Sequence, residues 1–157
     1  MGVDAFFAGV AESGADGCIL VDLPLEHAGS WNASAHAYGV SLVPLLAPTA
    51  DRDRERRILS SADAFVYMVA RTGITGAQAA DVAGVRERAE RLRGEFRTPL
   101  ASGFGIRSTD QAKAFAGSVD LVVVGSLFVE TLARGGADGM DELGRTARDL
   151  VEALGDV

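Results

Sequence analysis

Five short apolar runs punctuate the chain: CILVD (18–22), SLVPLLAP (41–48), AFVYMV (64–69), PLASG (99–103) and DLVVVGS (120–126). Each is continuous rather than alternating. A sheet with one wet face would show a polar residue at every second position, so continuous runs indicate strands of a parallel sheet covered on both faces. Parallel neighbours need a crossover between them, and the intervening segments supply it. Val3, Phe6, Phe7 and Val10 fall on one helical face closed by Gly14, and Trp31, Ala35 and Tyr38 recur at helical spacing before Gly39. Asp51 and Asp53 mark a helix N-terminus with Ile58 and Leu59 facing inward, and Val82, Val85, Ala89, Leu92 and Phe96 form a third stripe. Ser108 and Gln111 make a capping box for a helix ending near Gly117, and Leu143, Ala147, Leu150, Val151 and Leu154 predict a helical tail. Pro44 lacks a ladder donor and predicts a bulge or a local break within the second run. The expected class is α/β, five βα units behind an N-terminal helix.

With 157 residues, 48% hydrophobic and 24% charged, the chain suits one globular domain over 1–157. Its formal net charge of −7 argues against a broad grip on nucleic acid, which demands clustered Lys and Arg. No apolar run approaches the roughly 20 residues that span a bilayer. The first residues show no basic segment followed by an apolar stretch, and a cytoplasmic protein is expected. Cys18 is the single cysteine, so an internal disulfide is excluded and a cysteine-built metal site is not expected. It reads as a small core residue. His27 and His36 match no common zinc spacing and are expected on the surface.

Polar and glycine residues gather just after the strand ends, at Asp22, 71–76, 103–107, Gly125 and Ser126. In parallel α/β folds that edge binds ligands. GFGIRS (103–108) is followed one βα unit later by VVVGS (122–126). In an eight-stranded (β/α)8 barrel the loops after the last two strands and a helix N-terminus often hold a phosphate, because unpaired N–H groups and the helix dipole favour an anion. A lone glycine would signify only a tight turn; two glycine loops in successive units favour phosphate. YMVARTGITGAQAADVAG (67–84) is a long glycine-punctuated connection, read either as a lid hinged near Gly73 and Gly76 or as a plain flexible link. Asp22 could act as a base or anchor a neighbouring loop; without a matched second carboxylate, anchoring is favoured. RDRERR (52–57) and RERAERLR (86–93) read as solvated helix faces.

Taken in order and spacing, ILVDLPLE, LVPLLAPT, FVYMVARTGITG, GFGI and VVVGS resemble the tryptophan synthase α subunit, a TIM-barrel lyase, with VYMVARTGITG the most specific stretch. The likeness runs from GVDAFF to the end of the chain. It implies a partial (β/α)8 barrel, with an open parallel sheet as the alternative. It also implies retro-aldol cleavage of indole-3-glycerol phosphate to indole and glyceraldehyde 3-phosphate, without a cofactor or metal, and a β-subunit partner. By resemblance, Gly76, Phe104, Gly105, Gly125 and Ser126 hold the phosphate. Tyr67 lines the substrate site near a catalytic glutamate, Thr75 is the lid threonine that bonds an aspartate on closure, and Asp22 helps hold loops together. Ile19 and Val123 wall the indole pocket. Family members carry about three further βα units ahead of the first helix seen here, and those units supply the principal glutamate and aspartate. The chain is therefore expected to be the C-terminal five-eighths of such a barrel and inactive alone. A non-catalytic phosphate-binding or interaction protein derived from this subunit is the alternative.

Overall fold

Pro44 divides the second apolar run where the sequence predicts. In the computed structural model, which describes residues 2–70, 81–103, 105–135 and 138–155, the run becomes two strands, β2 (Ser41–Leu42) and β3 (Leu45–Leu46). β2 pairs in parallel with β1 (Gly17–Cys18), Gly17 opposite Ser41. Beyond the proline the chain runs beside β4 (Val66–Met68), and the Tyr67 N–H donates to the Pro44 carbonyl at 3.0 Å. Proline has no N–H to give, but its carbonyl still accepts.

The chain divides into two compact units, the first comprising residues up to Tyr67 with Phe96–Pro99. Its helices are α1 (Val3–Glu12), α2 (Leu25–Ala37) and α3 (Arg52–Ser61). Phe7, Ala35, Val40 and Leu42 form a buried core, with Trp31 set edge-on to Phe7 at 6.2 Å between ring centroids. Gly14 and Gly39 follow α1 and α2 with φ of +79° and +70°, the left-handed geometry that glycine adopts without penalty. Asp51 caps α3, its carboxylate accepting from the Arg54 N–H at 2.8 Å, and Ile58 and Leu59 are buried as expected. Glu55 departs from the solvated reading of RDRERR: it is buried. The stretch has one inward position that its charge conceals.

The second unit holds Met68–Glu95 and the chain from Leu100 onward. Its elements are α4 (Val82–Glu95), β5 (Leu100–Ser102), α5 (Thr109–Ala114), β6 (Leu121–Val122), α6 (Ser126–Gly135) and α7 (Gly139–Leu154). β5 and β6 are parallel, Ala101 opposite Leu121 and Ser102 opposite Val122. Asp120 locks their start: its N–H donates to the Leu100 carbonyl, its Oδ2 accepts from the Leu100 N–H at 2.8 Å, and its Oδ1 takes Arg93 Nη2 of α4 at 3.0 Å. Ser102, fully buried, donates from Oγ to the Met68 carbonyl at 2.8 Å. The Ser108–Gln111 box forms with one change. Ser108 Oγ accepts from the Gln111 N–H, while Gln111 Oε1 accepts from Arg107, one residue ahead of the cap.

The α/β class with parallel strands and covering helices is as the sequence indicates. Two runs are corrected. CILVD and DLVVVGS yield only two paired residues each, and Ile19, Val21, Leu121 and Val123 are exposed at 41%, 80%, 44% and 38% rather than buried. Among the described residues β1 and β6 each have a strand on one side only, so neither ladder can hold the whole run. In the first unit the chain turns at once after β1, the Leu23 N–H reaching the Leu20 carbonyl. Cys18 is half-buried against the Phe7 core, and burial pushes its thiol above the ordinary range.

Gly103 sits where β5 ends, with φ +142°, and a Cβ there would lie 2.3 Å from the Val123 carbonyl oxygen. Gly103→Ala is expected to cost at least about 2 kcal/mol, because both backbone strain and a backbone clash must be relieved. Denaturant unfolding followed by circular dichroism checks this. Gly125→Ala, with no atom of the described residues beyond its chain neighbours within 4 Å of the added Cβ and no positive φ, is the near-neutral control.

Candidate functional site

The ends of β5 and β6 lie in contact. The Val123 N–H donates to the Ser102 carbonyl at 2.9 Å, extending the ladder one residue past the pairing, and Gly103 packs its bare Cα face on the Val123 peptide. From this joint two glycine turns leave together. One passes through Gly105, at φ +74°, to Ile106, which is buried and pins the loop, and then to Arg107 and the Ser108 cap. The other passes through Gly125 into α6, whose first residue is Ser126. The first-turn bond from the Val129 N–H closes on the Gly125 carbonyl at 3.1 Å. The amides ahead of it therefore have no partner within the helix. Arg107 Nε reaches Glu130 Oε1 at 3.5 Å, drawing the first loop against the second helix.

Gly105, Gly125 and Ser126 are all exposed, and among the described residues beyond its chain neighbours neither Gly105 nor Gly125 has an atom within 4 Å of where a Cβ would stand. Amide donors and the positive end of a helix dipole at an exposed turn suit an oxyanion such as phosphate. The three glycines divide the work. Gly103 serves strand packing; Gly105 supplies a left-handed turn; Gly125 is under neither demand.

The other predicted site residues are placed as follows. Thr75, Gly76 and Phe104, with the lid hinge at Gly73, lie outside the described residues. Tyr67 is buried on β4 in the first unit, and burial raises its phenol above the ordinary range. Asp22 stands in the exposed turn after β1 rather than at a strand end. Ile19 belongs to the first unit and Val123 to the second, each partly exposed. Glu26 in the first turn of α2 is held below the usual carboxylate range by a backbone hydrogen bond and by Arg54, 3.1 Å away, and Arg57. It is an anchored surface carboxylate. His27 is exposed, and His36 is a surface group paired with Asp63. Among the described residues no group of three His, Cys, Asp or Glu is placed to hold a metal, and no helix is long and apolar enough to cross a membrane.

Three features of the site lie outside the sequence reading. Helix α6 itself was not expected, although Leu127 and Thr131, one turn apart and both buried, carry the signal. The Asp120 clasp and the Arg107–Glu130 tie are tertiary pairings that spacing along the chain does not encode.

Parallel strands alternating with helices, and glycine turns gathered after the last two strands, define the (β/α)8-barrel class, of which this chain is a part. The sequence model of the tryptophan synthase alpha chain matches residues 1–154, and the chain belongs to that family. Similar proteins include the tryptophan synthase alpha chain of Geobacter sulfurreducens, 40% identical over 153 residues and covering 98% of this chain and 57% of that protein. That of Zymomonas mobilis is 37% identical over 158 residues, covering 99% and 58%. Among solved structures, Mycobacterium tuberculosis tryptophan synthase superposes with a TM-score of 0.82 at 29% identity, over 98% of this chain and 57% of that one. The α2β2 complex of Pyrococcus furiosus gives 0.79 at 30% identity, over 95% and 60%. The chain thus spans less than two thirds of these relatives.

Because burial raises the Tyr67 phenol, its neutral form stabilises the folded state. That contribution is complete below the ordinary phenol pKa and is lost as pH rises through the folded-state value. Stability of the protein is expected to fall on the alkaline side, with a late component of tyrosinate absorbance that disappears in Tyr67→Phe. Alkaline unfolding and ultraviolet titration of the two proteins test this.

Proposed function

We propose that the joined turns at Gly105 and Gly125–Ser126 form the phosphate grip of a tryptophan synthase α-type site. Its ligand is the phosphate of indole-3-glycerol phosphate or a related ester. The observation that supports this is the contact between the ends of β5 and β6, from which both exposed turns leave. Family membership supplies the substrate class, and the grip is the part of the site that this chain can build from its own amides. Gly76 and Phe104 join it by resemblance, with Thr75 and Asp22 as loop anchors, Tyr67 beside the reacting end, and Ile19 and Val123 along the indole.

In this reading the reaction is retro-aldol cleavage to indole and glyceraldehyde 3-phosphate. The bond between the indole ring and the glycerol chain breaks, the ring carbon gains a proton and the adjoining hydroxyl loses one. The chain provides binding and orientation of the phosphate end, which position the bond for cleavage. Proton transfer falls to the glutamate and aspartate that the family resemblance places in βα units ahead of this chain. It therefore binds the ester and does not turn it over alone. The β subunit is its partner in the complete enzyme, as in the Pyrococcus furiosus complex.

Calorimetric titration with indole-3-glycerol phosphate and with glycerol 3-phosphate tests the grip. Gly125→Val is expected to abolish measurable binding of both, since a side chain enters the ligand's space while the backbone there tolerates one. Ser126→Ala is expected to weaken it roughly fivefold, about 1 kcal/mol for one hydrogen bond. Gly105 is the poorer test position, because any Cβ at φ +74° strains the turn itself. Unchanged affinity in both variants, or indole release by the chain alone, overturns the reading.

A further inference from the structure

The two turns of the proposed grip bring amide and hydroxyl donors and a single charged side chain. Within 103–108 and 122–126 that residue is Arg107. A phosphate dianion held by neutral donors alone, in a chain of formal net charge −7, would lack a Coulombic partner, and a guanidinium is the group whose planar fork matches a phosphate. The fold holds Arg107 in place. Ile106 ahead of it is buried, and the Arg107 N–H donates to Gln111 Oε1 at 2.8 Å. The side chain crosses from this anchor to α6, where Nε meets Glu130 Oε1 at 3.5 Å. Ser126 and Glu130 are four residues apart on that helix, so they share one face with Cβ atoms about 5–6 Å apart, and the Glu130 side chain leans toward the N-terminus. The guanidinium is thereby drawn to the Ser126 side of α6, near its leading amides. Glu130 engages Nε, and among the described residues the two Nη groups pair with no other side chain. Arg134, the other cation of α6, is eight residues from Ser126, about 12 Å along the axis, and its Nε already donates to the Glu130 carbonyl at 3.2 Å.

We infer that Arg107 is a further binding residue of the phosphate grip, its Nη groups taking the phosphate dianion of the ester while Glu130 holds the guanidinium on the Ser126 face of α6. The inference rests on the grip proposed above and adds to it the charge that favours a dianion over a neutral or singly charged group of the same size. Glu130 is a positioning residue. An exposed ion pair of this kind is weak, so the guanidinium turns toward a ligand without a large loss.

Calorimetric titration with glycerol 3-phosphate tests this on the parent and on exposed-residue variants whose circular dichroism should match it. Arg107→Gln is expected to weaken binding about tenfold, as for a charge-assisted contact at an exposed site. Arg107→Lys, which keeps the charge without the fork, should recover part of that and bind about threefold more weakly than the parent. Glu130→Gln retains an acceptor for Nε and removes a carboxylate beside the anion, so it should bind at least as tightly as the parent. Arg134→Gln makes the same charge change farther along α6 and should have no effect. Raising sodium chloride from about 0.05 M to about 0.5 M should cost the parent more affinity than it costs Arg107→Gln, which has lost the charge being screened. If Arg107→Gln binds like the parent while Gly125→Val does not bind, the inference falls and the grip stands; a parent that binds no glycerol 3-phosphate overturns both. Equal weakening by Arg107→Gln and Glu130→Gln would make Arg107 a tie between loop and helix and would also overturn it.

Discussion

The close approach of two peptide planes, Gly103 and Val123, is the constraint on which the second unit turns. A parallel ladder of two residues is weak by itself, and here it is reinforced on either side. Upstream, the Asp120 carboxylate and amide together engage both backbone groups of Leu100. Downstream, the Val123 amide takes the Ser102 carbonyl where any residue with a Cβ at 103 would hold the strands apart. Buried Ser102, tied to Met68, prevents β5 from sliding, because a slip would leave a buried hydroxyl and a carbonyl unpaired. Since both glycine turns start from this joint, the precision of the candidate grip is inherited from the strand packing beneath it.

Short strands and open edges have one cause. A strand in a closed barrel is paired on both sides, and its apolar run can then be long and buried throughout. With a neighbour on one side only, β1 and β6 keep two paired residues each, and the apolar residues that follow are left facing water. The sequence nevertheless retains the continuous apolar composition of doubly covered strands. Chemistry and exposure thus disagree at Val21, Leu121 and Val123, and the disagreement is what a chain spanning only part of its relatives' length should show.

Much of the fold was legible because the signals were local. The Asp51 cap, the Ser108–Gln111 box, the left-handed glycines after α1 and α2, and the break at Pro44 each depend on residues within a few positions of one another. What failed was the fate of runs whose length depends on neighbours, and helix α6, whose apolar stripe is short. Glu55 failed for a related reason: in a segment of alternating charge, only the rotation of α3 against its surroundings determines which carboxylate turns inward. At the site, Gly105, Gly125 and Ser126 were recognisable as a pair of glycine turns, but the reason for each glycine was not.

The sequence by itself determined the class of fold, the alternation of strands and helices apart from α6, and the family, because these follow from periodicity, capping chemistry and motif spacing. Only the tertiary structure decided that Gly103 belongs to strand packing while Gly125 stands free, that Arg107 and Glu130 draw the two turns together, and that among the described residues β6 has a strand on one side only. Those depend on distances between residues remote in the chain, which no local pattern records.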